Sequence, residues 1–174
     1  MQTHLSEWQT FYEIVGSSSA ALIGIQFVVI TLVSNLRQRP SSAVLGAFAT
    51  PTVVHLVGAL LISAVMSAPW RSLFPVIVVV ALSGLAGIFY CVIVARRALR
   101  QTDYKPVWED LTWHELLPGG AYATLGVASA FLRADTESSS FAIAGAALAL
   151  LLIGIHNAWD TVTHLVAERG KSGP

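Results

Sequence analysis

Apolar residues in this chain come in long blocks, not in the alternation of a half-buried strand. "VGSSSAALIGIQFVVITLV" fills 15–33, "PVIVVVALSGLAGIFYCVIV" fills 75–94 and "FAIAGAALALLLIGI" fills 141–155. A helix needs roughly 20 mainly apolar residues to cross a bilayer. Five segments meet or approach that length: about 12–36, 44–68, 73–95, 114–133 and 141–166. The fourth is the weakest. Its apolar part, "LLPGGAYATLGVASAFL", has only seventeen residues and contains Pro118, Gly119 and Gly120. It becomes long enough when its helix starts earlier, near Pro106, and kinks at Pro118. The joining segments "RQRPSS", "PWRS" and "RADTESSS" are short. Only "RRALRQTDYKPVWEDLTWHE", residues 96–115, has substance. Trp108 and Trp113 within it suit the headgroup level, and Val107 to Leu117 is expected to lie on the membrane as an amphipathic helix. The pattern predicts an all-α membrane bundle of about five transmembrane helices, one unit over residues 1–174, with a short interfacial helix before the fourth span.

Composition supports that architecture. The chain is 55% hydrophobic and 11% charged, with mean hydropathy +0.67, against about 25% charged residues in an ordinary soluble domain. Formal net charge is zero, so no basic face points to nucleic acid. A single cysteine, Cys91, excludes an intrachain disulfide and a cysteine-based zinc site. The first apolar stretch is too long for a signal-peptide core and reads as a retained first span. Lys and Arg set the orientation. Arg37, Arg39, Arg96, Arg97, Arg100, Lys105, Arg169 and Lys171 share one side, whereas Arg71 and Arg133 lie on the other. The expected topology is a multi-pass cell-membrane protein with its N-terminus outside and its C-terminus in the cytoplasm.

Spans in lipid pack by close approach, which small residues permit. Gly16, Ala20 and Gly24 recur every fourth residue in the first span, and Ala59, Ser63 and Ser67 in the second. Ser17, Ser18 and Ser19 are expected to bond carbonyls of the preceding turn rather than to line a lumen, since successive side chains point around the helix.

The candidate chemistry lies in polar groups at membrane depth. On the fifth span His156, Asp160 and His164 fall at roughly 0°, 40° and 80°, a stripe about 12 Å tall, flanked by Asn157 and Thr163. An ionised carboxylate there is costly unless paired. Arg96 or Arg97, ending the third span on the same side, is the expected ion-pair partner. Alternatively the row carries protons or cations, because imidazole titrates near neutrality. Gln26 and His55, near mid-span, are candidates for a hydrogen bond across helices or for the same path. Glu13 either favours the start of its helix or forms part of a cation-selecting ring in an oligomer. A metal ion chelated by an adjacent pair among His156, Asp160 and His164, with His114 and Glu115 completing the site, is a further candidate; no other cofactor is implied.

The chain carries none of the motifs GxSxG, HExxH, P-loop or Rossmann glycines. The bundle is small for a solitary transporter and shows no inverted repeat. The expected partners are the lipid bilayer and further copies of the chain, with cyclic symmetry. The specific expectation is a small oligomeric ion or proton channel or permease subunit. The alternatives are a non-enzymatic structural or regulatory membrane protein and, more remotely, a metal-dependent intramembrane hydrolase.

Overall fold

The computed structural model describes residues 7–34, 50–100 and 112–171, with side chains described over 7–31, 50–96 and 112–163. All regular structure in them is helical: α1 (Gln9–Ser34), α2 (Thr50–Ser67), α3 (Leu73–Arg100), a π-helical turn (Thr112–Leu116), α4 (Leu117–Phe131) and α5 (Thr136–Lys171). Four of them contain segments long and apolar enough to cross a membrane: Gln9–Thr31, Thr50–Ser67, Leu73–Arg96 and Thr136–Thr163.

The helix ends follow from local chemistry. Pro51 sits in the first turn of α2, where its missing N–H breaks no helical bond. At the other end of α2, the Trp70 indole donates to the Val65 carbonyl at 2.6 Å. Helix α5 starts five residues before the expected 141. Asp135 precedes it as N-cap, its Oδ1 accepting the Ser138 backbone N–H at 3.0 Å, so most of "RADTESSS" is the first turn of a helix rather than a loop.

The expected fourth span is changed most. Helix α4 has only 15 residues, about 22 Å of rise, and falls short of the expected 114–133. The chain widens into the π turn just before Pro118, which occupies the first turn of α4. The proline ring would crowd the carbonyl four residues back, and a wider turn relieves that contact. The interfacial helix expected over 107–117 falls largely outside the described residues; its last part is this turn running into α4.

Successive helices run antiparallel. Helix α1 packs on α2, α2 on α3, α3 on α4 and α4 on α5; α5 closes against α1 and also crosses to α2. Close approaches fix the register. Gly16 of α1 lies against Ser63 of α2, and Gly154 of α5 against Leu56 of α2. A Cβ on Gly84 of α3 would come within 2.8 Å of the α4 backbone at Tyr122 and Gly126. Only part of the small-residue stripe of α1 is used. Ala20 is exposed, and Gly24 has nothing within 4 Å of a notional Cβ. The face that packs is carried by Tyr12, Val15, Ser19 and Gln26 instead. Ser17 and Ser19 bond the carbonyls of Ile14 and Val15 at 3.1 and 2.8 Å, as expected.

Leu56, Ile62, Leu125, Ile143 and Leu150 form a dry centre. Around it, large apolar side chains face outward: Phe27, Leu85, Phe89, Val127 and Phe141 are each at least 60% exposed. A coat of this kind suits hydrocarbon better than water.

Candidate functional site

The antiparallel order brings the polar residues of several elements to one end of the bundle, here the His156 end. It gathers the C-terminal parts of α1, α3 and α5, the start of α2 and the π turn.

Two groups of contacts lie there. In the first, His55 of α2 faces Tyr122 of α4, with Nδ1 3.3 Å from the phenolic oxygen. Tyr122 reaches it by laying its ring on Gly87 of α3 and placing its hydroxyl beside Gly58 of α2. Tyr90 meets the His55 ring edge-on, with centroids 6.3 Å apart. His114 lies within electrostatic range of His55, and Glu115 within range of Cys91. Glu115 belongs to the π turn, outside the four apolar helices, and partial burial pushes its carboxyl up to about 7.

The second group is on α5. Trp113 of the π turn stacks on His156, with ring centroids 3.8 Å apart and planes 19° apart. Asp160 Oδ2 stands 3.4 Å from His156 Nε2. This is ion-pair range without hydrogen-bond geometry, and Nε2 has no hydrogen-bond partner among the described residues. Asn157, next in the chain, is 1% exposed, and neither atom of its amide has a partner among the described residues.

The predicted residues therefore separate. His156 and Asp160 come together, and Asn157 points inward beside them. His164 has no described side chain. The ion partner of Asp160 among the described residues is His156, not Arg96, which is exposed at the end of its apolar segment; the Arg97 side chain lies outside the described residues. Spacing on one helix explains this, since His156 is four residues away and always in reach. His55 bonds Tyr122 rather than Gln26, because Gln26 is on α1 and α4 brings the phenol closer. Gln26 is buried. Glu13 is exposed and accepts a hydrogen bond from Gln9 Nε2 at 2.9 Å, far from the other candidates.

Among the described residues no three His, Cys, Asp or Glu side chains group as metal ligands. His164, whose side chain lies outside the described residues, is not among those side chains.

Sequence reasoning missed Tyr122, Tyr90 and the partner of Trp113. Tyr122 had a faint signal: it is an aromatic in the middle of a short Gly- and Ala-rich segment, where a large ring needs small neighbours on the facing helix. At the opposite end, an open groove of about 490 Å³ runs between α4 and α5 past Val127, Phe131 and Asp135. It gathers no cluster of ionisable groups.

No family model matches the chain, and neither a curated protein nor a solved structure resembles it.

Proposed function

We propose that the chain is a non-enzymatic integral membrane protein that binds and releases protons at its His156 end, as a subunit of a small channel or permease. One observation carries the reading: three histidines, Glu115, Asp160 and two tyrosines from five elements converge at one end of an otherwise apolar bundle. Ionisable groups are costly at such a place and tend to mark ion or proton paths. In this reading the His156 end faces the cytoplasm, the side richer in Arg and Lys.

A second reading has its own support. Leu56, Ile62, Leu125 and Leu150, all fully buried, separate the His156 end from the hydroxyls of Tyr12, Ser63 and Ser140 at the other. A bundle with such a dry layer suits a structural or regulatory membrane protein that moves nothing by itself. Conduction then needs further copies or a rearrangement that wets the layer.

The deciding experiment is proton and alkali-cation flux into liposomes holding the purified protein, wild type beside Asp160→Asn. The permease reading expects flux that falls at least severalfold in the variant while the fold is kept. No flux from folded wild type, over several pH values and voltages, overturns it in favour of the second reading.

A further inference from the structure

The contacts of His156 go beyond what either reading requires. Its ring lies on an indole from another element and stands beside a carboxylate of its own helix. Trp113 belongs to the π turn that leads into α4, and Asp160 to α5. We propose that His156 is a proton-operated latch: protonation fastens the start of α4 to the end of α5, and loss of the proton releases it.

The argument is geometric. The stacking distance of 3.8 Å and the 19° tilt place the imidazole flat on the indole. A neutral imidazole gains ordinary stacking there. An imidazolium gains in addition the attraction of a cation for the negative face of the indole. Asp160 at 3.4 Å adds a second charge-dependent attraction. Nε2 lacks a hydrogen-bond partner among the described residues, so a proton added to it displaces no existing bond there and places its charge within ion-pair range of the carboxylate. Both attractions appear on the same proton: the indole contact draws the π turn towards α5, and the Asp160 contact, within α5, steadies the charged imidazole there.

The other groups facing this corner modulate the latch. The π turn contributes His114 and Glu115, and α2 contributes His55. From α3, Arg96 is exposed at the same end. Among the described residues α1 presents no charged side chain at this end. Asn157 lies immediately behind the latch, so release exposes its unpartnered amide to water.

This inference deepens the reading of the His156 end as a proton site, but its test does not depend on flux. Tryptophan emission of the detergent-solubilised protein is followed from pH 8 to pH 5, and the signal of Trp113→Phe is subtracted to isolate Trp113. Stacked imidazolium quenches indole, so the Trp113 emission is expected to fall at least twofold on acidification. His156→Gln is expected to abolish the fall. Asp160→Asn, altering a half-exposed side chain, is expected to keep the fold and move the transition to lower pH. Circular dichroism at each pH confirms folding. A Trp113 emission that ignores pH in folded wild type overturns the latch, as does an unchanged acid response in His156→Gln. Flux without quenching rejects the latch alone, and quenching without flux rejects the permease reading alone.

Discussion

Tyr122 and His55 meet at 3.3 Å across α4 and α2, and they do so only because Gly87 on α3 leaves the tyrosine ring a place to lie. One side chain thus ties three helices at the polar end of the bundle. Gly87→Ala sets a Cβ inside the volume of that ring and is expected to cost about 1–3 kcal/mol by overpacking. Tyr122→Phe, which keeps the ring and loses the hydrogen bond, is expected to cost about 0.6–2 kcal/mol. Gly24→Ala is the control, because nothing lies within 4 Å of its Cβ position; it is expected to be neutral or slightly stabilising. Thermal midpoints in detergent check all three. A Gly87→Ala variant as stable as wild type contradicts the seating described.

Asn157 makes an opposite prediction. An amide buried without partners costs roughly 1–3 kcal/mol on mutational scales. Asn157→Leu, of similar size and apolar, is therefore expected to leave stability unchanged or raise it by about that amount. A loss of the same size shows that the amide is hydrogen-bonded in the folded protein, to water or to a group outside the described residues.

Glu115 links stability to pH. Burial raises its carboxyl from the ordinary 4.5 to about 7 in the fold. Between those values the folded state holds a proton that the unfolded chain has lost, so stability falls as pH rises through the window. The side chain is only half-buried, and solvent screening limits the effect to about 1 kcal/mol. The thermal midpoint is expected to drop by a few degrees between pH 4.5 and pH 7. Glu115→Gln is expected to remove the part of that slope due to this group; an identical slope in wild type and variant contradicts the assignment.

The architecture was largely legible in the sequence, and the site only in part. Long apolar blocks identify the four long helices, because the period and length of such blocks are local properties. Their boundaries moved where a side chain acted on the backbone: Asp135 as a cap drew α5 forward, and Pro118 opened a π turn. His156 and Asp160 were found as a pair because four-residue spacing on one helix guarantees their meeting. Tyr122 and His55, 67 residues apart, meet through the order of helices around the bundle, which residue spacing does not encode. Charge alone points Asp160 to an arginine; among the described residues the base it meets is on its own helix, and the Arg97 side chain lies outside them.

The brevity of α4 has a consequence for the turn before it. At 15 residues it rises about 22 Å, whereas a typical hydrocarbon layer is about 30 Å thick. The π turn runs directly into α4, adding five residues to its fifteen, so in the proposed membrane setting this segment reaches across the layer only with the turn included.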